Sequence, residues 1–148
     1  MTDAPAPALP PSLAEIRDDF LELGESDRLQ LLLEFSEDLP ELPERFRDHP
    51  ELLERVEECQ SPVFIVVEVD GGAVAVHATA PAESPTTRGF ASILAQGLSG
   101  LEVATVLATP DDFPFELGLT RAVSPLRLRG MTGMLARIKR QVREAAAA

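Results

Sequence analysis

Tryptophan and tyrosine are absent, and a single cysteine, Cys59, is the chain's whole supply of thiol. One cysteine cannot close an intramolecular disulfide, and with no C-x-x-C pair there is no dithiol redox centre within the chain. Nor can it furnish the several thiolates of a typical zinc or iron–sulfur site. Neither G-x-x-x-x-G-K-[ST] nor G-x-G-x-x-G occurs, so the common phosphate- and dinucleotide-binding loops are missing. No run approaches the roughly 18 apolar residues that suggest a membrane span. The start lacks a basic segment leading into an apolar one, so no secretion signal is expected. An unpaired thiol fits a reducing compartment, and the expected location is cytoplasmic. Basic charge is scarce early in the chain: residues 1–58 carry 17 Asp and Glu against 5 Lys and Arg, while residues 59–148 carry 8 of each. Such a surface repels nucleic-acid phosphates and anionic lipid headgroups, so neither is an expected partner. It serves either as a solvated face or to steer the chain toward a basic patch on a protein.

What is present suits one domain with a sizeable core: 148 residues, 45% of them apolar. Residues 1–11 form a proline-rich stretch expected to be a disordered tail. Ser12 and Glu15 fit a capping box opening a helix with Leu13, Ile16, Phe20 and Leu23 on one face, stopped by Gly24. Ser26 is placed to cap a second helix ending at Pro40, and Pro43 and Pro50 bracket a loop or short helix. The period then changes. Val63–Val69 is short and rich in β-branched residues, Asp70-Gly71-Gly72 is a turn signal, and Ala73–Thr79 repeats the strand pattern, which predicts a β-hairpin. A hairpin alone is marginal, so a third strand is expected from the stretch before Cys59. Ser84-Pro85 and Ser124-Pro125 each place a cap and a first-turn proline before a helix. The first has Phe90, Ile93, Leu94 and Leu98 on its core face, and a short helix near Leu101–Leu107 follows it. The second has Met131, Met134, Leu135, Ile138 and Val142, and runs to about Arg143. Arg137, Lys139, Arg140 and Arg143 suit the negative end of that helix. Gly130 and Gly133 each cost it roughly 1 kcal/mol relative to Ala, a cost that close backbone packing would explain. The fold class is α+β: a small antiparallel sheet containing a hairpin, packed with N- and C-terminal helices. The domain is expected over residues 12–143, with residues 144–148 as a frayed tail.

Cys59 lies in Val56-Glu57-Glu58-Cys59-Gln60-Ser61-Pro62-Val63, between carboxylates and an apolar run, which reads as a thiol at a loop tip feeding a strand. Two histidines exist, His49 and His77. A Cys59–His77 pair would make a thiol hydrolase, since such groups assemble in space. His77 sits mid-strand between Val76 and Ala78, however, and a structural role is the simpler reading. Gln60 and Ser61 are expected to shape the loop by bonding its backbone. Val63 and Phe64 read as core.

Cys59-Gln60-Ser61-x-Val63, followed at once by a strand, resembles the C-Q-S-x-V signature of the SufE family of sulfur-acceptor proteins. Leu39-Pro40-Glu41-Leu42-Pro43 is similar to its L-P-x-L-P segment, and Thr87-Arg88-Gly89-Phe90 to the start of its central helix. Ser124-Pro125-Leu126-Arg127-Leu128-Arg129-Gly130-Met131 resembles its S-P-x-R-x-x-G-L segment. The order agrees over residues 12–143. Three departures from the pattern stand out: Glu58 stands where the family usually has Gly, Glu83-Ser84-Pro85 stands for an acidic stretch, and Leu126 stands where a small polar residue is common.

The resemblance implies a SufE-like fold and a persulfide carrier. It would take sulfane sulfur from a SufS-like cysteine desulfurase onto Cys59, stimulate that enzyme, and deliver the sulfur to a SufB-like iron–sulfur assembly scaffold. No bound cofactor is implied, because pyridoxal phosphate belongs to the desulfurase. The chain would be an accessory transfer protein, a monomer or weak homodimer, rather than a stand-alone enzyme. Arg127 would meet an acidic residue of the partner or of this fold. Glu57 and Glu58 disfavour a thiolate, so Cys59 is expected to rest as a thiol and be activated on docking. Two other readings stay open: a single-cysteine hydrolase or peroxidase, and an acidic adaptor in which Cys59 is incidental.

Overall fold

The computed structural model describes residues 9–147. Most of the proline-rich stretch, residues 1–8, lies outside them. Helix α1 spans Pro11–Leu21, with Pro10 at its N-cap and Pro11 already helical. The expected capping box is absent: Ser12 Oγ instead donates to the Gly97 carbonyl, 2.6 Å away, and so bonds α1 to a distant helix. Helix α2 spans Glu25–Glu37 with Gly24, not Ser26, at its N-cap. Arg28 ties this corner together, its Nε donating to Phe20 O and Leu23 O and its Nη1 to Gly118 O, each at 2.9 Å. Between the two prolines lies a single helical turn, α3, Glu44–Arg47, followed by a 3₁₀ turn at Pro50–Leu52.

Three antiparallel strands follow in the order β1-β2-β3: β1 Glu54–Arg55, β2 Phe64–Asp70 and β3 Ala73–Thr79. The hairpin and the third strand are where the sequence places them. The register pairs Asp70 with Ala73, leaving Gly71 and Gly72 as the two turn residues at φ 60° and 83°. Positive φ at both central positions is what a tight hairpin turn matching the strand twist demands, and glycine adopts it without a Cβ penalty. The buried residues alternate, with Ile65 and Val67 on β2 and Val74, Val76 and Ala78 on β3 facing the core. Phe64 is only half-buried, because it falls on the other face.

Both sheet edges are covered. On β3, Val74 N–H donates to Leu101 O at 2.8 Å and Gly100 N–H to Val74 O at 2.7 Å. On β2, beyond the short β1, Val67 N–H donates to Gln141 Oε1 at 2.9 Å. These bonds satisfy groups that an open edge would present to other chains.

Helices α4 (Pro85–Leu98) and α6 (Pro125–Ala147) pack on the sheet, with α5 (Val103–Leu107) and a 3₁₀ turn at Phe113–Leu117 between them. The expected core faces are buried: Phe90, Ile93, Leu94 and Leu98 on α4, and Met131, Met134, Leu135, Ile138 and Val142 on α6. α6 continues to Ala147, past the end expected near Arg143. Its basic residues do more than complement the helix dipole. Buried Lys139 donates to the Thr109 carbonyl and to Asp111 Oδ1, the latter at 2.6 Å, so it pins the connection after α5. α4 meets its neighbours at glycines. A Cβ on Gly89 would stand 2.6 Å from Leu32 O of α2, and one on Gly97 would stand 2.3 Å from Leu13 Cδ2 of α1.

Candidate functional site

The loop from residue 57 to residue 62 is closed at its base by Val56 N–H donating to Val63 O at 2.9 Å, and both valines are fully buried. Within it Cys59 N–H donates to Val56 O at 3.1 Å, which turns the chain and aims the side chain inward. Cys59 is 6% exposed, so the thiol at the loop tip is folded under rather than presented to solvent. The reason is on α6. A Cβ on Gly130 would lie 3.1 Å from Cys59 Sγ, and one on Gly133 would lie 2.7–2.8 Å from the Glu58 side chain. The two glycines cut a notch in the helix that receives Cys59 and Glu58. Every non-glycine residue described has negative φ, so Glu58 holds the position after Glu57 in ordinary backbone geometry despite standing where glycine is usual.

Three segments line a cavity of about 230 Å³ around the thiol: the Cys59 loop, the start of α4 with Ser84, Thr86 and Thr87, and the start of α6 with Leu126 and Arg127. The two Ser-Pro helix starts behave differently. Ser124 Oγ accepts from Arg127 N–H at 3.3 Å, which is a side-chain cap. Ser84 Oγ instead accepts from Ser61 Oγ at 2.7 Å, linking the cysteine loop to α4. Ser61 therefore shapes the loop twice: its hydroxyl reaches across the cavity to Ser84, and its carbonyl accepts from Val63 N–H at 2.8 Å. Gln60 is exposed.

Arg127 is exposed on the cavity wall and, among the described residues, makes no ion pair. His77 is not brought to Cys59: its Nε2 donates to Glu68 Oε1 at 2.9 Å, and its ring lies 5.3 Å from that of Phe46. His49 pairs with Glu51 at the surface. Among the described residues no group of three or more His, Cys, Asp or Glu is placed to hold a metal ion, and no helix is long and apolar enough to cross a membrane.

Behind the loop lies an ion-pair network that sequence reasoning missed. Arg137 Nε donates to Glu58 Oε1 at 2.9 Å and its Nη1 to Glu54 Oε2 at 2.6 Å. Glu54 also accepts from Arg140 and from Gln141 Nε2, the latter at 2.9 Å. The bond from Arg137 holds the Glu58 carboxyl below its usual range, against partial burial. Burial pushes Glu54 the other way, but the bonds from Arg140, Arg137 and Gln141 win and its pKa is also lowered. The available signal was an acid beside the cysteine together with two costly glycines on a basic helix.

The thiol itself is pushed from 9.0 up to about 11, chiefly by burial, with Glu58 adding and Arg137 opposing. Of the two carboxylates expected to act, Glu58 contributes, and burial is the larger cause. Alkylation of the free protein should therefore be slow at neutral pH and climb about tenfold per pH unit toward pH 11. A reaction rate that levels off near pH 8.5 would contradict this burial. The native state keeps its thiol proton to higher pH than the unfolded chain does. Stability from this group is thus complete below pH 9 and falls as pH rises from 9 through about 11.

Residues 14–142 match the model of the SufE family, described as an Fe-S metabolism associated domain. The chain belongs to the SufE family. An uncharacterized SufE-like protein of Mycobacterium tuberculosis is 55% identical over 143 residues, covering 96% of this chain and 98% of that one. The Arabidopsis thaliana SufE-like protein 1, of chloroplast and mitochondrion, is 33% identical over 132 residues; these cover 88% of this chain and 34% of that longer one. A solution structure of a hypothetical protein from Thermus thermophilus superposes with a TM-score of 0.84 at 38% identity, covering 95% of this chain and 100% of that one. This SufE-family protein thus has the α+β fold expected of it and an association with Fe–S metabolism. Its one cysteine, within the C-Q-S-x-V segment, lies in the cavity.

Proposed function

We propose that the protein is a persulfide carrier that accepts sulfane sulfur on Cys59 from a cysteine desulfurase, stimulates that enzyme, and passes the sulfur to an iron–sulfur assembly scaffold. The observation that carries this reading is a lone thiol held inside a cavity walled by an arginine that makes no ion pair among the described residues, with neither histidine brought to it. A hydrolase needs a base within hydrogen-bond reach of its nucleophile, and His77 is bonded to Glu68 instead.

In the transfer step Cys59 first loses its proton, and its thiolate then attacks the outer sulfur of the partner's cysteine persulfide. A bond forms between Cys59 Sγ and that sulfur, the partner's sulfur–sulfur bond breaks, and the partner's cysteine leaves as a thiolate. The sulfane sulfur changes hands with no net oxidation, as in thiol–disulfide exchange. Pyridoxal phosphate acts on the partner, before this step. A buried thiol at pH 7 is poorly ionised, so docking supplies the activation. Between encounters, the same burial keeps the sulfur from stray thiols.

Arg127 stands at the cavity mouth as the charge available to a partner carboxylate. Arg127→Ala should lower stimulation of the desulfurase roughly fivefold, the order expected for one charged contact at an interface, while leaving the protein's melting temperature unchanged. Unaltered stimulation would remove Arg127 from the interface. The carrier reading is tested by intact-protein mass spectrometry after incubation with desulfurase and L-cysteine. The expected result is a gain of about one sulfur atom, reversed by reductant. No gain with an active desulfurase would favour the acidic-adaptor reading, in which the exposed Asp18 and Asp19 of α1 and Glu34 and Glu37 of α2 do the work.

A further inference from the structure

Glu58 precedes the thiol and lines the same cavity, and its side chain lies along α6. Its carboxylate accepts from Arg137 Nε at 2.9 Å, and its aliphatic stem occupies the space over Gly133, where a Cβ would stand 2.7–2.8 Å from it. Cys59 Sγ is seated in the same way one helical turn earlier, over Gly130. Arg137 is itself anchored by Glu54 of β1, and Glu54 by Arg140 and Gln141, so the pair is braced from the sheet and the helix together. Glu83 and Arg127 are the charged groups on the opposite walls of the cavity.

We infer that Glu58 is a positioning residue: through Arg137 and the Gly133 notch it latches the cysteine loop to α6 and limits the release of the Cys59 thiol to an incoming persulfide. The inference rests on the carrier reading for its purpose, but the latch is a property of the free protein. It has two effects of the same sign. The ion pair holds the loop in the notch, and the carboxylate opposes ionisation of the neighbouring sulfur while occupying the guanidinium that would favour it.

The test is alkylation by iodoacetamide, an uncharged reagent, on the full chain. Glu58→Gln keeps the shape and removes the charge. Gly133→Ala keeps the charge and fills the notch, and it raises helix propensity rather than lowering it. Each should alkylate roughly fivefold faster than the wild type at pH 8, the order set by one partly exposed ion pair. For Glu58→Gln the midpoint of the pH–rate profile should move down. Salt supplies the readout that a loosened fold would not give. About 1 M NaCl should accelerate the wild type by screening the pair and leave Glu58→Gln unchanged. Equal rates, midpoints and salt responses in wild type and Glu58→Gln would overturn the latch. Sulfur uptake from a desulfurase, measured on the same proteins, separates the two ideas. Uptake without any alkylation difference sinks the latch and leaves the carrier standing. Faster alkylation without uptake by any variant supports the latch and sinks the carrier.

Discussion

The Cys59→Ser protein should fold as the wild type does and acquire no sulfur at all. The side chain is buried against Gly130 with little room to spare, and serine is slightly smaller, so the notch accepts it. The cost is that of placing a hydroxyl where a buried thiol sat, about 1 kcal/mol. Chemistry is affected far more. A serine hydroxyl offers neither the acidity nor the nucleophilicity that attack on a persulfide sulfur needs, and no other cysteine exists to substitute for it. Intact mass after incubation with desulfurase and L-cysteine reads the result directly. Any sulfur gain by Cys59→Ser would overturn the carrier reading. Stimulation of the desulfurase by Cys59→Ser, measured alongside, would assign that stimulation to docking alone.

Gly89→Ala should destabilise the fold by about 2 kcal/mol and lower Tm by about 5 °C, even though alanine is the better helix former. In an exposed helix the substitution would gain about 1 kcal/mol. Here the new Cβ would stand 2.6 Å from the carbonyl oxygen of Leu32 and 2.7 Å from its Cδ1. A side chain rotates out of such a contact, but a carbonyl within α2 moves only if the helix moves. α2 and α4 pack closely at Gly89, and Arg88, beside it, bonds Ser36 O and Ala80 O at 2.8 and 2.7 Å. Shifting α2 therefore strains a second set of bonds and tilts the helix that carries Ser84 and Thr87 into the cavity. Thermal unfolding followed by circular dichroism checks the prediction. An unchanged or higher Tm would mean that the contact relaxes without cost.

The elements that were legible in the sequence are those whose information is local. The hairpin follows from β-branched runs flanking Gly71-Gly72, where the conformation of adjacent residues decides the turn. The core faces of α4 and α6 follow from helical spacing, because burial repeats with the helix period. Helix starts were less legible. Ser12 and Ser84 each fit a capping pattern, yet each side chain bonds a residue far away, Gly97 and Ser61 respectively. A hydroxyl takes whichever partner the fold delivers, and the local cap is only one candidate.

The sequence by itself determined which thiol the proposed carrier would use, because the chain holds one cysteine, in a recognisable segment. Only the tertiary structure decided the state of that thiol. Burial of Cys59, the rise of its pKa to about 11, and the hold of Arg137 on Glu58 all arise where the loop meets α6. Glu58 and Arg137 lie 79 positions apart in the chain. No local spacing encodes such a contact. The glycines at 130 and 133 carry a cost legible in the helix, but the loop that fills their notch is brought there by the sheet and core between.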